Sequence, residues 1–438
     1  MRIACVANIN NMMFILCRYL RDEGFDAELI TLADEPPHFS PSADSYNNDY
    51  LTYYTVLPFT KSTIYSPEAI AHISSTLDGF DFYIGSDIAP ALLALIGKKL
   101  DVFIPHGSDI YALPFEIERP LKTNKVWWLR EKTTLRKFQE VGIRHTETIL
   151  FPDEYNIHFP FKDKLKTEAV YHNTSGPMVY IPQYENLTEN DAIKNLPNFK
   201  VFEKLRTEND LLVFSHSRHN GFHLSPSLTI HQKGNDILIN GFAKFIQNHP
   251  QLTCKLVLFD YGMDVDASKT LVEVLGIEHD VVWLPLMQRK EIMLGLNMAD
   301  ISCGQFDNSW LTCGVVNETL ASNKPLLHYR EDSLYQQDYE SLYPLLNAQT
   351  ADQIATQLGV YLDNPENVKQ EAKEGSKWLD RYTVQNPIKI IRTALNAKTQ
   401  PSIHLSPETL KECELILSHH RSQDKRLRII AKVMNYFR

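Results

Sequence analysis

The sequence predicts an α/β protein with two doubly wound, Rossmann-like domains and a set of C-terminal helices. Three observations carry this expectation. The chain has 438 residues, too many for one ordinary hydrophobic core. Short apolar runs alternate with amphipathic helical runs, the pattern of parallel strands joined by crossover helices. That rhythm lapses over a polar stretch from Asp191 to Asp210 and then restarts. The domains are therefore expected at 1–200 and 201–382, with a helical extension at 383–438 that packs on the first domain.

The first half opens with RIACVAN as a strand and a helix closed by Gly24. AELITL follows as a strand. Pro36 to Tyr65 is aromatic, rich in Ser and Asn, and reads as irregular. SPEAIAHISSTLDG carries a Ser N-cap and a terminal Gly, so it is a helix. FDFYIGS is a strand, APALLALIGKKL a helix and DVFIP a strand. A long helical run near Lys125 to Val141 precedes the strand ETILFP. The second half places strands at LLVF, KLVLF, VVWLPL, ISCGQ and KPLLHY, with helices between them. From about Ala351 the chain reads as mostly helical.

Composition narrows the function classes. Hydrophobic content of 43% and charged content of 22% are those of a globular protein. A net charge of −10 argues against nucleic acid as the general partner, since a whole-domain basic footprint is absent. The six cysteines lack metal-ligand spacing and most sit in apolar runs, as reduced buried thiols do. No run is long and apolar enough to span a bilayer, and the N-terminus reads as a strand rather than a signal peptide. The expected location is the cytoplasm or a membrane's cytoplasmic face.

In open α/β sheets, ligands bind beyond the carboxyl ends of the strands. Four loops lie there. Asn8-Ile9-Asn10-Asn11 lacks the glycines of a dinucleotide fingerprint, which argues against a nicotinamide or flavin enzyme. In His106-Gly107-Ser108-Asp109, Gly107 permits a tight turn and His106 can donate to a sugar hydroxyl or phosphate. Asp109 either orients a ring nitrogen or caps a turn. The third loop holds Arg218 and Lys233-Gly234: either fixed positive charge for a diphosphate or two exposed bases. Its histidines, His216, His219, His223 and His231, lack the acidic or Cys partners of a zinc site. In the fourth, Gly314 opens a helix whose N–H groups can meet an anion, and Glu318 shares its face. Glu318 suits either the paired hydroxyls of a ribose or the helix macrodipole.

In this order the motifs resemble the retaining GT-B glycosyltransferases of family four (group 1). SR after the second domain's first strand, KG before a helix with GFAKF, VVWLPLMQRKEIMLGLNMADI and the G-x-x-x-E-x-x-x-x-x-K-P run from Gly314 to Pro325 carry it. HGSD and SKWLDRY add to it. The resemblance implies two domains facing across a cleft, a UDP- or GDP-linked sugar donor in the second and an acceptor in the first. Arg218 and Lys233 would bind the diphosphate, Glu318 the ribose, and His106 the transferred sugar or its phosphate. Gly107, Asp109, Ser217, Gly234, Cys313, Gly314 and Val315 would complete the donor site. It further implies transfer with retained configuration to a hydroxyl of a glycan or lipid-linked glycan. The leaving phosphate would help take the acceptor's proton, with no cofactor, metal or protein nucleophile.

Three features depart from that family. Members often carry a second glutamate eight positions before the one matched by Glu318, and Trp310 stands there. Asp307, Asn308 and Ser309 are its candidate substitutes. Arg218 and Lys233 are unusually far apart, and asparagines replace the glycines of the first loop. A nucleotide-sugar epimerase and an inactive binding or scaffold domain are the competing readings. Two basic segments point to an anionic membrane surface: Arg119–Lys137, seven bases to one acid with Trp127 and Trp128, and Arg421–Arg438, six to one. For the first, a solvated helix with its tryptophans in the core is the alternative.

Overall fold

The computed structural model describes residues 1–115, 125–185, 187–220, 232–398 and 404–436, without the side chains of 125–131, 157–158, 188 and 424–436. It divides into two compact units. The first comprises Met1–Pro41, Asn47–Pro177 and Thr383–Arg438, the second Ser42–Tyr46 and Met178–Tyr382.

The first unit holds a seven-stranded sheet, β1 (Arg2–Val6), β2 (Asp26–Leu32), β3 (Tyr54–Leu57), β4 (Phe82–Gly85), β5 (Val102–Phe103), β6 (Thr148–Leu150) and β7 (Val170–His172). Its order is β3-β2-β1-β4-β5-β6-β7, every pair parallel. The order reverses between β1 and β4, which makes that edge the switch point. Central strands such as β1 and β4 are buried on both faces, as a sheet covered by helices requires. Helix Pro67–Leu77 starts where expected, with the Ser66 hydroxyl accepting the Ala69 N–H. Helices Asn386–Ala397 and Pro407–Tyr436 belong to this unit, joined by ion pairs of Lys398 with Asp101 and Arg144 with Glu412.

The second unit holds β8 (Leu211–Phe214), β9 (Cys254–Phe259), β10 (Val281–Leu284), β11 (Ile301–Cys303), β12 (Leu326–His328) and β13 (Leu346–Asn347). Its order is β10-β9-β8-β11-β12-β13, again all parallel, with the switch point between β8 and β11.

Three local expectations change. The stretch Asp191 to Asp210 is not an irregular linker, for it contains the helix Phe199–Glu208, which buries Phe202. Its solvent face is Lys- and Glu-rich, which hid the helix behind polar composition. The units part at Pro177/Met178 rather than at residue 200, because 178–200 bonds to the second unit. There Asn198 donates to Glu291 at 2.7 Å and Tyr184 to Asp44 at 2.6 Å. Third, Pro36 to Tyr65 holds turns of 3-10 helix and, within it, the edge strand β3. All six cysteines are free, five of them buried and Cys313 half-buried.

Candidate active site

The second unit gathers its candidate residues at the carboxyl ends of β8 to β11. After β8, His216 and Ser217 are buried and Arg218 is exposed, with no ion pair among the described residues. The Ser217 hydroxyl donates to the Gly304 carbonyl at 3.3 Å, tying this loop to the one after β11. Residues 221–231, which include the insertion and two of the four histidines, His223 and His231, lie outside the described residues. The other two are engaged, His216 with Glu318 and His219 with Ser268 at 2.7 Å.

Lys233 Nζ donates to Gln305 Oε1 at 2.9 Å. Burial pushes its ammonium down to about 8, and the nearby Arg218 charge adds to this while Cys313 opposes it. Lys233 thus lies within electrostatic reach of both Arg218 and Cys313. Gly234 opens helix Asn235–Asn248 at φ +66°. A Cβ there would lie 2.9 Å from Phe306 Cβ and 3.2 Å from Asp307 N, so only glycine fits.

The loop from Gly304 to Cys313 is held rigidly. Fully buried His328 accepts the Gln305 N–H on Nδ1 at 2.9 Å and donates from Nε2 to the Trp310 carbonyl at 2.8 Å. Burial lowers its pKa to about 4, so this one neutral tautomer persists. Ser309 also ties the loop down. Its hydroxyl accepts the Glu331 N–H at 2.9 Å, and its carbonyl accepts the Tyr335 hydroxyl at 3.0 Å. Trp310 is buried. Asp307 and Asn308 stay half-exposed, and burial raises the Asp307 carboxyl.

Helix Gly314–Ala321 has Cys313 as its N-cap, with no side-chain cap bond, and its first N–H groups carry the positive end of the dipole. Cys313, Gly314 and Val315 are half-exposed. Glu318 lies one turn on and is buried, not open at the mouth. Its Oε1 accepts Arg289 Nε at 2.9 Å, and its Oε2 accepts His216 Nε2 at 2.6 Å. Burial alone would raise this carboxyl, but His216 and Arg289 outweigh it and hold it below the usual range. A carboxylate has about four lone-pair directions, so these two bonds leave one on each oxygen.

Two residues here escape a reading of the sequence alone. Arg289 stands first in helix Arg289–Met298, where the dipole disfavours a cation. That anomaly is the signal that a carboxylate must face it. Tyr261 donates to the His216 carbonyl at 2.8 Å, and its phenol is pushed up to about 12 by burial and then by Glu318.

The first unit has its own polar site at the β1/β4 switch point. Ala7, Asn10, Asn11 and Asp87 all have positive φ there, between 49° and 62°. Asparagine tolerates this region better than other non-glycine residues, which explains how a loop without glycine turns so tightly. His106 Nε2 bonds to Asn10. Asp109 is buried and accepts the N–H groups of His106 at 3.0 Å, Gly107 at 2.8 Å and Asp87 at 3.0 Å. Burial, then Asp87, raises its carboxyl to about 7 against those bonds. Of its two readings, the cap is the one built. Gly107 has φ +156°, and a Cβ there would press on Tyr111 at 3.3 Å.

Of the basic segments, residues 119–124 lie outside the described residues, as do the side chains of 125–131, including Trp127 and Trp128, and those from 424 onward. Arg136 lies 3.9 Å from Glu140, an ordinary helical pair. No helix among the described residues is long and apolar enough to cross a membrane.

No family model matches the sequence, and no curated protein matches it. Solved structures do. Anabaena Alr3699/HepE in complex with UDP is 17% identical, with a TM-score of 0.56 over 91% of this chain and 100% of that one. Sucrose-phosphate synthase from Thermosynechococcus elongatus is 11% identical at 0.56, over the same shares. UDP-GlcNAc 2-epimerase from Neisseria meningitidis, bound to UDP-GlcNAc, is 14% identical at 0.53, again over 91% and 100%. At such identities the likeness establishes the fold: this chain has the GT-B fold, two Rossmann-like domains in one polypeptide.

Proposed function

We propose that the protein is a glycosyltransferase that moves a sugar from a nucleoside diphosphate to an acceptor hydroxyl. The observation that carries this is the convergence of Arg218, Lys233, the Gly314 helix N-terminus and Glu318 at one switch point. Each answers one part of a nucleoside diphosphate. The exposed Arg218 fork and the Lys233 point charge match phosphate oxygens. The helix N-terminus meets a further oxygen through N–H groups. Glu318 accepts from ribose hydroxyls. The UDP bound by the HepE structure and the UDP-GlcNAc bound by the epimerase support a nucleotide of this class.

Catalysis then follows from where charge develops. Breaking the sugar–phosphate bond leaves the diphosphate more anionic, and Arg218, Lys233 and the helix dipole stabilise that charge, fixed in place beforehand. In this reading the configuration is retained, no metal or protein nucleophile takes part, and the leaving phosphate accepts the acceptor's proton. The donor is UDP- or GDP-linked and the acceptor a glycan or lipid-linked glycan. The first unit's loop at His106 recognises sugar or acceptor hydroxyls, and the two basic segments hold the enzyme at an anionic membrane surface.

The test is a calorimetric panel of UDP, GDP, ADP and CDP, followed by donor turnover with EDTA present. One nucleotide should bind clearly tighter than the rest, and its sugar conjugate should turn over. Binding of none of them would sink the proposal. Epimerisation is the second reading, favoured by the 2-epimerase likeness. It predicts an isomerised donor with no released nucleoside diphosphate.

A further inference from the structure

We infer that Arg289 and His216 are positioning residues that set the Glu318 carboxylate as the ribose acceptor; this rests on the nucleotide reading above. An ionised carboxylate offers about four lone-pair directions and only accepts. Arg289 Nε takes one on Oε1 at 2.9 Å, and His216 Nε2 takes one on Oε2 at 2.6 Å. One direction per oxygen is left, which suits two neighbouring hydroxyls. The clamp also removes the rotamer freedom of a long side chain before the ligand arrives, so binding need not do so.

Both clamp residues are themselves fixed. The Arg289 side chain is 10% exposed, and its Nη1 donates to the Met178 carbonyl at 2.8 Å. The His216 side chain is 7% exposed, and Tyr261 holds its carbonyl. Because the carboxylate only accepts, His216 Nε2 carries the proton. Its Nδ1 is buried with no partner among the described residues. In the neutral ring that buried atom is an acceptor. Glu318 and His216 are 102 positions apart, so the pair is a product of the fold and not of a motif.

The experiment compares UDP and GDP, their 2′-deoxy forms and pyrophosphate by calorimetry on the full chain. Wild type should prefer the ribonucleotide by about tenfold or more, since a site built to bond a hydroxyl rejects its absence. Arg289→Gln and His216→Phe should bring that ratio within about twofold of unity, a loss of about 1 kcal/mol or more out of the roughly 1.4 kcal/mol that tenfold represents. Pyrophosphate affinity should hold, because it lacks a ribose. Arg289→Lys should restore part of the preference; where Arg289→Gln does not fold, Arg289→Lys must itself lower the ratio. Unchanged ratios in variants that bind nucleotide would overturn the clamp alone. A wild type that binds pyrophosphate and both forms of each nucleotide equally, or binds none, would overturn the ribose reading with it.

Discussion

Removing the Lys233 charge should weaken nucleotide binding, and titrating it in the wild type should do the same. The ammonium is half-buried beside Arg218 and bonded to the neutral Gln305 side chain, with its pKa lowered to about 8. A diphosphate supplies the missing counter-charge, so the bound complex favours the protonated form and raises the pKa. The sign follows from linkage: affinity is full below pH 8 and falls as pH rises through it. If only the protonated form binds, the loss approaches about tenfold per pH unit, from roughly nine-tenths protonated at pH 7 to about one-tenth at pH 9. A hydrogen bond to a charged group contributes about 1.5–3 kcal/mol, so Lys233→Ala should cost roughly 10- to 150-fold in affinity. It should also flatten the pH profile above 8. Calorimetry from pH 6.5 to 9.5 on both proteins checks this. A wild-type affinity that stays level from pH 7 to 9.5, or a variant with undiminished affinity, would refute the reasoning.

Gly234→Ala places a side chain at φ +66° and a carbon 2.9 Å from Phe306 Cβ. It should cost about 2 kcal/mol or more from the left-handed conformation and overpacking together, seen as a melting point several degrees lower. Asp109→Ala leaves three backbone N–H groups without their acceptor and should destabilise by about 2–4 kcal/mol in denaturant unfolding. Asp109 has a folded pKa raised from 3.8 to about 7, so its contribution is full below pH 4 and is lost as pH rises towards 7. The wild type should therefore lose stability relative to Asp109→Asn across that window. Anomeric NMR of the first product formed should show the donor's configuration, and inversion would rule out transfer with retention.

The repeated strand–helix rhythm was legible because buried parallel strands are short continuous apolar runs. Helix Phe199–Glu208 was not, since one buried Phe202 among Lys, Glu and Arg looks like a linker. Strands β7 and β13 have three and two residues, too few to show a period. Within the candidate site, Arg218, Lys233-Gly234 and Gly314 to Glu318 could be nominated because they lie in the loops and helix starts that follow β8 and β11. The surroundings of Glu318 could not. Its partners come from the loop after β8 and the first residue of the helix after β10, and nothing local in SHSR or QRKE says which carboxylate they face. Ser309 looked free for a sugar, but its role is set by Glu331 and Tyr335, more than 20 residues on.

The most direct measurement is turnover of the preferred nucleotide sugar by wild type, Lys233→Ala and Glu318→Ala, read as released nucleoside diphosphate together with glycosylated acceptor. The expected result is stoichiometric transfer by wild type and loss of most of it in both variants, with their folds intact by circular dichroism. Near wild-type turnover in both variants would show that the reaction is carried out elsewhere in the chain.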